Sequence, residues 1–172
     1  MKKLLLLTLA LLMVAGCSAP TLKVGLGIVP KMTGTAATAD GDGKAQADVT
    51  ACAATFDANG KVVGIQIDVA QCAAPVTAAG AVTAPSEIQT KKEKKEGYNM
   101  KGASGIGKEW YEQIAAFEAY CVGKTAADIS AMPVKTEGEH TNVPDVEELK
   151  SSCTMSCGDF IEALSKANAN AA

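Results

Sequence analysis

The sequence contains no arginine: all 16 of its basic side chains are lysine. Without arginine a chain lacks the planar five-donor fork that grips phosphates and guanine edges, which argues against a nucleic-acid partner. Histidine occurs once, at His140, so a histidine-rich metal site is excluded. Aromatics make up 4%, with Trp110 the single tryptophan, while alanine supplies 31 of the 172 residues. A core must therefore be assembled from small side chains around a few large anchors. None of the six cysteines lies in a C-x-x-C or C-x-x-C-H pattern, which speaks against thioredoxin-like redox chemistry and covalent haem attachment.

The N-terminus is where apolar residues are concentrated. Lys2 and Lys3 precede an apolar run from Leu4 to Ala15, too short to span a bilayer stably and typical of an export signal. The run ends in Val14-Ala15-Gly16-Cys17, which resembles a bacterial lipobox, in which the cysteine sulfur receives a diacylglycerol and becomes the first residue after cleavage. The other reading is an ordinary signal cut near Ala19. Cleavage before Cys17 removes two lysines and takes the net charge from -3 to -5. Anionic membrane does not attract such a surface, so attachment rests on the acyl chains, and two or more are needed for stable anchoring. The expected location is the extracytoplasmic face of the cell membrane, lipid-anchored.

The expected organisation is a lipoprotein signal peptide over 1–16, the lipidated Cys17 with a flexible tether over 17–44, and a folded domain over 45–170. The tether assignment rests on its Gly, Ala, Thr, Pro and Asp content. Asp40 and Asp42 alternate with glycine but lack the further oxygen ligands and closing Glu of a calcium loop. Gln46–Phe56 alternates, with Ala47, Val49, Ala51 and Ala53 expected on the packed face. Asp57-Ala58-Asn59-Gly60 is a hairpin turn, and Lys61–Gln71 returns with Val63, Ile65, Ile67 and Val69 at period two. Ala73–Thr83 is expected to add an edge strand bracketed by prolines, and the Lys-Lys-Glu-Lys-Lys-Glu run at 91–96 reads as a solvated strand end or loop.

Trp110, Ile114, Phe117 and Cys121 form one apolar stripe, predicting a helix over 108–122 with Gly123 just past its end. Thr125–Asp128 is a capping box for a short second helix ending before Pro133, and Ser156–Asp159 another for a terminal helix. Residues 134–145 read as a polar loop with His140 a bystander, and 149–155 as a short strand. The fold class is α+β: an antiparallel sheet of about four strands with helices packed on one face. The five remaining cysteines, Cys52, Cys72, Cys121, Cys153 and Cys157, read mainly as small buried hydrophobes, with one disulfide as the alternative.

Three segments together resemble the FMN-binding domain family, which includes periplasmic flavoprotein subunits of Rnf-type and sodium-pumping NADH-oxidising complexes and flavin-bearing lipoproteins of extracellular electron transfer. They are the hairpin Ala54–Asp68, the Gly102-Ala-Ser-Gly-Ile-Gly-Lys-Glu-Trp110 loop entering a helix, and Ser151-Ser-Cys-Thr-Met-Ser-Cys-Gly-Asp-Phe160. The last is similar to the family's Ser-Gly-Ala-Thr-x-Thr-Ser segment, whose first Thr is esterified to FMN phosphate in flavinylated members. That register falls on Thr154, with Ser151 and Ser156 beside it. The resemblance implies FMN as cofactor, Gly105 and Gly107 allowing backbone to approach the ring, and Trp110 or Tyr98 packing on its face. Ser152 and Cys153 replace the family's Gly and Ala, which favours noncovalent binding over covalent attachment at Thr154.

The implied function is electron transfer outside the cytoplasmic membrane by a flavin-bearing lipoprotein, with a redox partner protein and the membrane as partners. Such a chain is an electron carrier or binding protein rather than a stand-alone enzyme. The alternative is a cofactor-less interaction lipoprotein that kept the fold. A hydrolase built on Ser104 and His140 lacks the Gly-x-Ser-x-Gly frame.

Overall fold

The computed structural model describes residues 21–172. The expected signal peptide and Cys17 lie outside those residues. The domain is α+β, as its alternation of strand and helix patterns predicts. Strands β1 (Lys23–Thr35), β2 (Gly43–Phe56) and β3 (Val62–Val76) form an antiparallel meander in that order. Short helix α1 (Lys91–Lys94), helix α2 (Trp110–Cys121) and short helix α3 (Ala126–Ser130) follow. A second sheet, the hairpin of β4 (Val134–Glu137) and β5 (His140–Pro144), precedes helix α4 (Gly158–Ala169).

The largest departure from expectation is at the N-terminal side. The stretch assigned to a tether over 17–44 contains β1, paired along its whole length with β2 from Lys23↔Phe56 to Thr35↔Lys44. Its period-two pattern is hidden because the inward positions include Gly25 and Gly27, which carry no hydrophobic signal. Glycine is required there by close approach. A Cβ on Gly25 would stand 1.8 Å from the Ala167 carbonyl oxygen of α4, and one on Gly27 would stand 1.8 Å from that of Ala163. The folded domain therefore starts at Lys23 rather than residue 45.

The hairpin turn forms where Asp57 predicts it. Its Oδ1 accepts the amides of Asn59 and Lys61, both at 2.9 Å, and Gly60 sits at φ +75°. The packed face of β2, however, is Thr50, Cys52, Ala54 and Phe56, whereas Ala53 is exposed. Both faces of β2 are apolar, so alternation alone does not distinguish them. On β3, Ile65, Ile67 and Val69 are buried as expected. A register shift at Thr55/Phe56 turns Val62 inward and leaves Val63 exposed.

Further corrections follow from local chemistry. No separate strand spans 73–83: β3 simply runs on to Val76, and Thr77 to Ala81 closes a turn. Thr90 caps α1 through a reciprocal pair with Glu93, so the charged run becomes helix. Residues 134–145 are a hairpin, turning at Gly138 with φ +59°. Segment 149–155 is not a strand: a 3-10 turn at Glu147–Leu149 leads into irregular chain. α4 starts at Gly158 after the N-cap Cys157, which supplies no side-chain cap, so the expected Ser156–Asp159 box is absent.

Helices α2 and α4 lie against the inner face of the sheet, and the core joins Phe56, Ile67, Ile114, Phe117, Leu164 and Phe160 across that interface. Both sheet edges are partly covered. On β3, Glu118 accepts the Ile67 amide and pairs with Lys92. On β1, Lys166 and Asn170 donate to the Ile28 and Leu26 carbonyls at 3.2 and 3.0 Å, while Val24 and Ala172 exchange two backbone bonds. Unpaired strand edges are templates for aggregation, and these contacts shorten the stretch left open.

Candidate functional site

A cavity of about 580 Å³ opens where the upper inner face of the sheet meets three loops. Such a volume lies in the range of small-molecule and cofactor sites. Inward strand positions beyond the core supply one wall: Thr50 and Val69, then Lys31, Asp48 and Gln71, which share one row across the sheet. The segment 100–106 supplies a second wall through Met100, Ser104, Gly105 and Ile106. The β4–β5 hairpin supplies a third, including Lys135, Glu137 and His140. Thr154, Met155, Ser156, Asp159 and Phe160 complete it at the start of α4.

Trp110 lies at the base. It is almost fully buried and meets Phe160 edge-on, with ring centroids 6.1 Å apart. Lys91 Nζ stands 5.6 Å from the Trp110 centroid and 4.9 Å from that of Tyr98, a cation held over two aromatic faces. Tyr98 itself does not line the cavity.

Gln113 joins two of the walls. Fully buried on α2, it donates Nε2 to Ser104 Oγ at 3.0 Å and to the Lys108 carbonyl at 3.2 Å. Its Oε1 accepts the Thr154 amide at 3.0 Å. One side chain thus fixes the glycine loop against the Thr154 segment. Glu109 performs a related task, accepting the amides of Met100 and Lys101 at 2.9 and 3.1 Å. Cys157 ties the hairpin to α4, its amide and Sγ both directed at the Asn142 carbonyl.

Of the residues singled out from sequence, Thr154, Ser156, Gly105 and Trp110 come together in this cavity. Ser151 lies exposed in the preceding turn, outside it. Gly107 is also outside: its φ of +63° serves the turn into α2, where its amide bonds to the Ser104 carbonyl. His140, read as a bystander, is in the cavity wall. Gln113, Lys31 and Asp48 were not foreseen. Gln113 was discoverable as a polar residue on the core-facing side of the α2 stripe, but Lys31 sat in the supposed tether and Asp48 on the supposed outer face.

The electrostatics are mixed. Lys31, Lys91, Lys135 and Lys150 line the cavity, facing Asp48, Glu137 and Asp159. Lys31 pairs with Asp159, and Lys135 with Glu137 at 2.9 Å. Asp48 Oδ2 accepts Gln46 Nε2 at 2.7 Å, while Oδ1 is buried with no hydrogen-bond partner among the described residues. The α4 N-terminus points its dipole's positive end toward this region, a setting that favours anionic groups.

Among the described residues the five cysteines are free thiols, and four of them are buried. Burial pushes Cys52, Cys121 and Cys157 up to about 12 and Cys153 up to about 11, which holds them protonated and poorly nucleophilic.

Residues 1–18 match a prokaryotic membrane lipoprotein lipid attachment site, and the cysteine within them is Cys17. The protein is a membrane-anchored lipoprotein. Among the described residues no helix is long and apolar enough to cross a membrane. The chain is 34% identical over 95 residues to a chlorophenol reductase of Desulfitobacterium hafniense, a match covering 48% of this chain and 29% of that protein. This chain therefore spans less than a third of that relative's length. No solved structure matches the chain.

Proposed function

We propose that this lipoprotein holds FMN noncovalently in the 580 Å³ cavity and transfers electrons on the extracytoplasmic face of the membrane, with a redox protein as its partner. The observation that carries the reading is convergence. Gly105, Trp110, Thr154 and Ser156 come from segments up to about fifty positions apart, and all four line one cavity. That the partial relative is a reductase supports a redox role.

The donor set suits the cofactor. Trp110 and Phe160 give an apolar base for an aromatic ring system. The orphaned Asp48 Oδ1 is an acceptor without a donor, matched by a ring N–H. With no arginine, the phosphate falls to lysine ammonium groups, the Thr154 and Ser156 hydroxyls and the α4 N-terminus. When bound, FMN supplies the electron-transfer chemistry. The chain's own residues orient the ring, exclude water from its buried side and neutralise the phosphate.

Titration calorimetry with FMN, riboflavin and haem tests the reading, alongside the visible spectrum and intact mass of the purified lipoprotein. FMN is expected to bind more tightly than riboflavin, with no covalent adduct. Absence of flavin binding would falsify the proposal and favour the cofactor-less interaction module, whose support is the pair Ser152 and Cys153 in place of the family's smaller residues.

A further inference from the structure

Leu22, just before β1, and Val24, Leu26, Ile28, Pro30 and Met32 on its outward face recur at period two, with no charged residue among them. Leu22, Val24, Leu26 and Ile28 are 50%, 61%, 53% and 46% exposed, and Met32 is 81% exposed. Their cross-strand neighbours on β2 are small: Ala53 opposite Leu26 and Ala51 opposite Ile28. The large side chains therefore stand above the sheet surface. The opposite face of the same strand packs on α4, and α4 also closes its edge, so this strip is not spare core of the helical layer. A contiguous exposed apolar strip of this kind marks a contact surface.

Its position in the chain identifies what it contacts. Four residues separate Cys17 from Leu22, and the five steps between them span at most about 18 Å of fully extended chain. The strip from Leu22 to Ile28 then runs roughly 20 Å farther along one strand. The acyl chains at Cys17 thus keep the Leu22 end of this strip, with Ala172 bonded to Val24 beside it, within reach of the bilayer surface. We infer that the outer face of β1 docks on the lipid surface, with Val24, Leu26 and Ile28 entering the headgroup boundary and the cavity turned away from the membrane. The contact is apolar rather than electrostatic, since the strip is uncharged and the mature chain is net acidic. Interfacial binding of this type scales with buried apolar area. A second copy of the chain is the competing occupant of the same face.

The experiment uses the lipidated protein in phosphatidylcholine vesicles, with and without brominated phosphatidylcholine as a depth-dependent quencher. Leu26→Trp and Ile28→Trp report from the strip, and Ala127→Trp, exposed on α3, reports from the opposite side. Both strip variants are expected to lose emission to the brominated lipid, while Ala127→Trp and the native Trp110 signal do not. Using two strip variants guards against one misfolding. Three results would overturn the inference: unquenched strip variants, equal quenching of Ala127→Trp, or an unlipidated protein that sediments as a dimer losing self-association on Leu26→Ser. The outcome is independent of whether flavin binds.

Discussion

Replacing Gln113 with leucine removes three hydrogen bonds at constant bulk: two donated by Nε2, to Ser104 and the Lys108 carbonyl, and one accepted from the Thr154 amide. Each intramolecular bond contributes about 1 kcal/mol net, and a buried amide left without an acceptor adds to the loss. The expected destabilisation is about 3 kcal/mol, because leucine fills the space and the cavity term is small. For a chain of this size that lowers Tm by roughly 6–12 °C. Urea unfolding followed by circular dichroism measures it directly. The bonds also link the two loops of the cavity, so Ser104→Ala and Gln113→Leu are expected to be non-additive in a double-mutant cycle. FMN affinity is expected to fall with Gln113→Leu even at temperatures where the variant stays folded. A loss below about 1 kcal/mol, with additive single effects, would mean that Gln113 does not join the walls.

Two other outcomes follow from packing and burial. Gly27→Ala drives a Cβ to 1.8 Å from the Ala163 carbonyl, backbone that cannot step aside, and is expected to cost about 3 kcal/mol; Gly41→Ala, which meets nothing within 4 Å, should stay within about 0.5 kcal/mol, and equal stabilities would refute the close approach. The raised thiols make stability fall at high pH. Below about pH 9 folded and unfolded chains both keep these protons, but above it only the unfolded chain releases them, until the folded values near 11 and 12 are reached. Urea midpoints should therefore drop from pH 8 to pH 10, less steeply in Cys52→Ala, and native alkylation at pH 8 should reach Cys72 ahead of the four buried thiols; a slope unchanged in Cys52→Ala would contradict the burial.

The parts legible in the sequence were those with strong local signals. Asp57–Gly60 names its turn through the side chain that closes it, Thr125 names its cap, and the α2 stripe is built of large residues at helical spacing. The illegible parts depend on partners distant in sequence. β1 has glycine where a strand would normally show its inward hydrophobics, and only the approach of α4 explains why. The β4–β5 hairpin is mostly polar and its apolar residues sit at its open end, so no alternation marks it, and β2 offers apolar residues on both faces. In the site, Thr154, Ser156, Gly105 and Trp110 were recognisable from motif order. Lys31, Asp48 and His140 were not, because they join the cavity only once β1 and the hairpin are in place.

The contact between β1 and α4 also sets a clock. Lys31 and Asp159 are 128 positions apart, and Leu26 and Asn170 are 144 apart. Strand β1 cannot cover its inner face until α4 exists, since Gly25 and Gly27 offer no side chains to any other partner. Contacts of such long sequence separation form late and slowly. This topology withholds the closing interaction of β1 until α4 has been made, with Asp159 lying 128 positions beyond Lys31. The same glycines that let helix and strand touch thereby leave the inner face of β1 open until α4 arrives.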